Sequence, residues 1–347
     1  MKSGRRTPAA ALLVGGSLML GILAIPSAGQ EQPAPHPDVA VLPLSQQSAD
    51  HGLRRETQVA FVEGPAWQDG VLFFSDIPNN RIMEWRGQGA PRVHRTPSNH
   101  ANGLAFDAEG RMVVAEEDGR LVRENNDGSV EVLAERFDGA PFNSLNDLAI
   151  DSQGRIYFTD PAYKVRANAP QRDAEGAVVE GVYRLDPDGT LTRIIAHEVS
   201  VPNGILVSPG DRYLWVAEND SRQGGRRRLV RFDLRADGTI DPASKRDMFD
   251  WGSDRGADGM AVDSEGNIYA AAGLNFPLPG RTSIVYKNGI YAFTQDGRLF
   301  DFIPIPVDPA SNVAFGGENF DTLYVTAGYT IWSFQLGRQG HRPFAPE

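Results

Sequence analysis

The chain has 347 residues, 41% of them hydrophobic, with 37 glycines, no cysteine and a formal net charge of −11. That length and apolar share suit one large globular domain or two ordinary ones, and exclude a disordered chain. The missing cysteine excludes disulfides, thiolate chemistry and cysteine zinc sites, and an acidic chain without a basic stripe is no partner for nucleic acid.

Residues 1–29 open with Lys2, Arg5 and Arg6, continue through an apolar run from Ala9 to Ile25, and end with Ser27 and Gly29 as small residues before a cut. This is the pattern of a secretory signal peptide. The apolar run is short for a spanning helix, so no stable membrane span is expected after cleavage. The protein is expected to be exported, to the periplasm or beyond. The Arg5-Arg6 pair leaves twin-arginine export open beside the general route. Residues 30–52 are rich in Pro, Gln and Ala and read as an extended tether.

From residue 53 to 337 the chain repeats itself. "EGPAW" from Glu63, "NGLAFD" from Asn102, "NDLAID" from Asn146, "NGILVS" from Asn203, "DGMAVD" from Asp258 and "SNVAFG" from Ser311 align on their apolar residues, at intervals of 39, 44, 57, 55 and 53 residues. Each unit continues as short β-branched or aromatic runs. Tight turns such as Asp151-Ser-Gln-Gly154 and Asp263-Ser-Glu-Gly266 separate them. This is strand grammar, and no amphipathic helix stands out. Six units of about four strands predict an all-β fold, a six-bladed β-propeller of four-stranded blades. The last unit lacks a fourth strand after "TIWSFQL", and "ETQVAFV", residues 56–62, is expected to supply it. Residues 338–347 read as a C-terminal tail.

The first strand of a propeller blade lines the central channel. The residue at its entrance therefore faces the channel mouth. Glu63, Asn102, Asn146, Asn203, Asp258 and Ser311 occupy that position. Taken singly, Asn-Gly and Asp-Gly read more readily as turn dipeptides. Glu63 is a poor turn former at the same aligned place, so the set reads as a ring of oxygen donors around one axis. Two carboxylates with neutral carboxamides form a hard-oxygen site that suits one divalent cation, calcium foremost, with magnesium, manganese or zinc open. His100, two residues before Asn102, is a candidate acid or substrate contact, or else a rim histidine. Asp147 is a candidate to orient Asn146 or to cap the turn. Tyr163 and Phe142 wall the pocket or pack.

"FVEGPAW", "SLNDLAIDSQGRIYFTDP", "VPNGILVS", "GADGMAVDSEGNIYAA" and "SNVAFGG" together resemble the gluconolactonase/regucalcin (senescence marker protein) family, in its bacterial branch, from about Thr57 to Leu336. The resemblance implies a six-bladed propeller with one divalent metal at the channel mouth, usually calcium, and hydrolysis of sugar lactones and related esters. It implies Glu63, Asn203 and Asp258 as metal ligands, with Asn146 a ligand or a substrate contact. Asp258 would also act as base or nucleophile. Asn102, Asn146 and His100 are the expected substrate-binding residues. Where animal members carry a sugar-holding arginine, this chain has Ser144. The expected partner is a small-molecule lactone or ester. The alternatives are another ester or phosphotriester hydrolase on the same site, and a non-catalytic ligand-binding propeller. Oligomeric state is not legible.

Overall fold

The computed structural model describes residues 54–58, 61–163, 169–277 and 283–344. The expected signal peptide, 1–29, and tether, 30–52, lie outside them.

Strand-forming runs separated by Asp-x-x-Gly turns fold back on themselves as antiparallel meanders. Asp107, Asp151 and Asp263 each turn one carboxylate oxygen onto the two backbone N–H groups at the tip of the turn. The second oxygen takes a side chain: Arg111, Arg155 and Asn267, respectively. The repeated aspartate therefore sets the hairpin by satisfying groups that the ladder leaves unpaired.

Six four-stranded sheets result. The first blade comprises Val62–Gln68, Val71–Asp76, Arg81–Trp85 and Arg92–Arg95; the second, Ala101–Phe106, Met112–Glu116, Arg120–Glu124 and Val130–Ala134. The third comprises Leu148–Ile150, Ile156–Asp160, Gly181–Leu185 and Leu191–Ile195; the fourth, Pro202–Val207, Tyr213–Asn219, Arg227–Leu234 and Ile240–Asp250. The fifth comprises Met260–Val262, Ile268–Ala272, Gly289–Phe293 and Leu299–Pro304. The sixth takes Ala310–Gly316, Thr322–Ala327 and Thr330–Gln335, and the strand Arg54–Gln58 pairs antiparallel with the last of these. The closing strand thus comes from the expected stretch but lies a little earlier, because Val62 already begins the first blade. Each innermost strand touches the next, and the sixth touches the first, so the sheets form a six-bladed ring. Among the described residues the only helices are single 3-10 turns at Ile77–Asn79 and Pro209–Asp211. No described helix is long and apolar enough to cross a membrane.

A sheet buried on both faces shows unbroken burial along its middle strands, as in Ile156–Asp160 and Ile268–Ala272. The core accordingly lies between blades. Six apolar clusters fill the six seams: Phe158, Leu121 and Tyr183 lock blades two and three, while Trp215, Met260 and Tyr291 lock blades four and five. Burial of such faces against neighbours is what makes the ring necessary.

The channel inside the ring has a volume of about 1040 Å³. Its lining includes Asp147 and Asn312 at one end and His341 to Phe344 at the other. The C-terminal segment is held there: Gly340 donates to the Phe320 carbonyl at 2.8 Å and His341 to the Val262 carbonyl at 2.9 Å. The stretch read as a tail is therefore ordered onto the ring as far as Phe344.

Candidate active site

The entrance residues are made by irregularity in the strands. In blades one, two and four the ladder slips between Glu63 and Ala66, between Ala101 and Leu104, and between Pro202 and Ile205. A bulge frees backbone groups and re-aims the side chain at that point. In blades three and five regular pairing starts only at Leu148 and Met260, after Asn146-Asp147 and Asp258-Gly259.

The freed backbone groups tie the blades together. Gly103 donates to the Asn146 carbonyl at 2.8 Å, Gly204 to Asp258 at 3.0 Å and Gly259 to Ser311 at 2.7 Å. Hydroxyls complete the other seams. Ser75 Oγ donates to the Asn102 carbonyl at 2.7 Å, Thr159 Oγ1 to Asn203 at 2.8 Å and Ser311 Oγ to Val62 at 2.9 Å. All six seams are thus closed at the entrance level, which fixes the ring of side chains on one rigid collar.

That geometry explains the glycines better than a turn does. A Cβ on Gly204 would lie 2.2 Å from the Asp258 carbonyl oxygen, and one on Gly259 1.9 Å from the Asn312 side chain. These glycines sit in close contact with the next blade, not at a reversal of the chain. Where the other units have glycine, the third and sixth carry Asp147 and Asn312.

Glu63, Asp147 and Asp258 feel one another's charge. Burial first, then the Asp258 and Asp147 charges, push the Glu63 carboxyl well above its ordinary range, against the opposing Gly64 N–H and Asn312 amide. Burial likewise raises Asp147 to about 7, reinforced by Asp258 and opposed by the N–H groups of Leu148 and Ile205 and by Asn312. The Asn312 amide opposes the rise of both carboxyls, so it stands beside Glu63 and Asp147 alike. Arg255 pairs with Asp258 Oδ2 from three residues upstream, and its other arm donates to the Ala310 carbonyl at 2.7 Å.

The amides are oriented too. Asn203 Nδ2 donates to the Tyr163 hydroxyl at 3.0 Å, and Asn102 Nδ2 to Glu117 Oε1 at 3.1 Å. Asn146 is buried, its carbonyl takes the seam bond, and its amide meets no protein partner among the described residues. His100 stands apart on the rim, half-exposed, with Nδ1 3.0 Å from Asp118.

The six entrance backbones meet in the seams, and at one of them the side chain is spent there too. Ser311 keeps the entrance position by its backbone, but its hydroxyl is spent on Val62 and Thr326 in the seam. Asn312 stands beside the acidic group instead, through its amide, while its Oδ1 accepts the Val313 N–H at 2.7 Å. Of the two candidate wall aromatics, Phe142 is core, packed on Phe158 and Tyr183, while Tyr163 is on the rim. Asp147 caps Leu148 at 2.9 Å and still belongs to the acidic group. Arg255 and Asn312 were not singled out in the sequence. Asn312 leaves a trace there, as a polar residue in a column of glycines. Arg255 leaves none, since it lies in a connection without period.

Three mutually repelling carboxylates, one of them paired with Arg255, make the mouth rich in acid. Such a donor set fits a divalent cation, which would relieve the repulsion that burial amplifies. Among the described residues no three Asp, Glu or His side chains converge to hold an ion by themselves. An ion held here would also draw on amide oxygens.

A ring of six four-stranded sheets, with acid and amide groups at the entrances of its innermost strands, makes the chain a six-bladed β-propeller. The chain belongs to the SMP-30/Gluconolactonase/LRE-like family, whose model matches residues 61–329. It is 30% identical over 298 residues to a gluconolactonase of Zymomonas mobilis, covering 79% of this chain and 78% of that one. The structure of a gluconolactonase from Xanthomonas campestris superposes with a TM-score of 0.68 at 30% identity, over 82% of this chain and 89% of the other. A calcium-binding regucalcin from Agrobacterium tumefaciens shares the fold, with a TM-score of 0.63 at 20% identity over 84% and 94%.

Proposed function

We propose that the protein is a metal-dependent lactone hydrolase whose reaction centre is the collar of Glu63, Asn146, Asn203 and Asp258. Family membership supports lactone opening. The single observation that carries the site is the group of buried Glu63 and Asp147 with partly buried Asp258, the first two driven upward by burial and by Asp258.

Glu63, Asn203, Asp258 and Asn146 are the groups that would hold the cation, and calcium suits their oxygens best. When bound, the cation supplies an electrophile that polarises the lactone carbonyl and offsets charge developing on its oxygen. Asp258 removes the proton from the attacking water, or itself attacks the carbonyl carbon. Arg255 holds Oδ2 of Asp258 and so fixes the carboxylate plane. Tyr163 takes the Asn203 Nδ2 donor, which turns the amide oxygen away from Tyr163 and toward the remaining space. Asn102 and Asn146 orient the ester by hydrogen bonds. His100 contacts the substrate from the rim. In the balanced reaction water adds across the acyl C–O bond: the carbonyl carbon gains the hydroxyl and the ring oxygen leaves as an alcohol.

The test is the initial rate of lactone opening, followed by proton release, on protein stripped with EDTA and then given calcium. The reading expects loss and recovery. Opening that ignores both treatments, in protein shown by elemental analysis to be metal-free, would overturn it. We place the reaction outside the inner membrane, on the signal-peptide pattern of residues 1–29. An exported protein whose N-terminus is Gln30 is the expected product, and a cytoplasmic protein beginning at residue 1 would contradict that placement.

A further inference from the structure

The entrances of the first strands and the connections between second and third strands open on the same face, because each blade is an antiparallel meander. Seven large apolar side chains are exposed among the described residues. Val93, Val130 and Val132 lie on outermost strands, where a single exposed valine is ordinary. The other four, Tyr163, Phe276, Val285 and Tyr329, all lie on second-to-third-strand connections and so on the face that carries the collar.

Their backbones are not loose. Asn275 and Phe276 both donate their N–H groups to the Asp308 carboxylate, at 2.9 to 3.0 Å, three residues before Ser311. Asn275 Nδ2 adds a bond to the Ile305 carbonyl at 2.9 Å. Gly328, beside Tyr329, donates to the Pro309 carbonyl at 2.8 Å and accepts from Val62 at 3.0 Å, next to Glu63. Phe276 and Tyr329 thus flank the segment Asp308-Pro309 at the edge of the collar, 69% and 46% exposed. Tyr163, 42% exposed, stands over Asn203 through its hydroxyl. Aromatic rings exposed on an anchored backbone beside the mouth are placed to contact a ligand that enters it.

Among the described residues, several polar and charged groups of the same face are engaged with one another. Arg222 pairs with Asp220 and Glu180, His100 with Asp118, and Asn102 with Glu117. The described part of the rim thus sets exposed apolar side chains beside polar groups that are already paired.

Resting on the lactone-hydrolase reading above, we infer that the substrate is a lactone bearing an apolar substituent, alkyl or aryl, whose chain or ring lies against Phe276 and Tyr329 while its carbonyl enters the collar. A polyhydroxylated sugar lactone would strand its hydroxyls against those rings and gain nothing from them.

The experiment compares kcat/KM for three probes: δ-decalactone, with a pentyl substituent; unsubstituted δ-valerolactone; and D-glucono-δ-lactone. Wild type and the double variant Phe276→Ser/Tyr329→Ser are both measured. The exposure of both side chains lets the variant keep its fold, checked by circular dichroism. The inference expects δ-decalactone to exceed both others by about tenfold or more. It expects the double variant to erase that advantage through KM, with δ-valerolactone unchanged. A preference for D-glucono-δ-lactone, or a variant that slows all three alike, overturns the inference and leaves the hydrolase reading standing. Opening of none of the three overturns the hydrolase reading, and the inference falls with it.

Discussion

The backbone carbonyl of Asp258 accepts a hydrogen bond from the amide of Gly204 at 3.0 Å, across the seam between the fourth and fifth blades. The residue proposed to carry the chemistry is therefore positioned by a glycine in another blade. A methyl group at Gly204 would meet that oxygen at 2.2 Å, with backbone on both sides of the contact. Gly204→Ala must spread the seam. The expected cost is about 2 kcal/mol in urea unfolding, with a loss of lactone opening larger than the loss of folded protein. A variant as stable and active as wild type would show that the seam is compliant.

Arg255 is a cationic partner of Asp258, with only 5% of its side chain exposed. It competes with any bound cation for the same carboxylate. Arg255→Met removes that competitor and also the group that fixes the carboxylate plane. Calcium binding by titration calorimetry is expected to tighten by about tenfold, roughly 1.4 kcal/mol, while kcat falls. Weaker binding would mean that orientation of Asp258 outweighs charge competition.

The Asn312 amide holds down the carboxyls of both Glu63 and Asp147. Asn312→Leu leaves two buried carboxyl groups without that partner. The expected loss is about 2 kcal/mol in EDTA, seen as a fall in Tm of several degrees. Calcium is expected to return part of the loss, since it relieves the same repulsion. A fall in Tm that calcium leaves untouched would separate Asn312 from the cation site.

Asp160 lies behind the entrance of the third blade and accepts the N–H groups of Asn143 and Ser144 at 3.0 and 2.8 Å. Burial raises its carboxyl to about 7, from an ordinary 3.8. The folded state therefore holds a proton that the unfolded state has released between about pH 4 and 7. Stability from this group is full below about pH 4 and is lost as pH rises through 7. Asp160→Asn removes the titration at the cost of turning an amide NH2 toward one of the two donors. Unfolding free energies from pH 5 to 8 are expected to fall less steeply in the variant than in wild type. Parallel slopes would show that the two N–H donors already hold Asp160 ionised.

The period of apolar runs and Asp-x-x-Gly turns made the six blades legible, because each turn aspartate leaves a fixed residue at a fixed place. The closing strand was legible in kind and displaced in position, since Val62 belongs at once to the apolar run and to the next blade. Glu63, Asn102, Asn146, Asn203 and Asp258 were visible because the repeat multiplies one entrance position. The same alignment misled at the sixth copy. A register slip between Ala310 and Asn312 puts Ser311 into the seam and its neighbour into the acidic group. Arg255 and Tyr163 come from connections whose lengths and sequences do not repeat. Their approach to Asp258 and Asn203 is a product of ring closure, not of local pattern.

The most direct test of the account is the rate of lactone opening by Asp258→Asn against wild type, in saturating calcium, with folding and calcium stoichiometry checked in the same samples. The amide keeps the shape of the carboxylate and can neither take a proton from water nor attack a carbonyl. The account predicts a fall in kcat of about a hundredfold or more in a folded protein. A folded Asp258→Asn protein that opens lactones at close to the wild-type rate would contradict it.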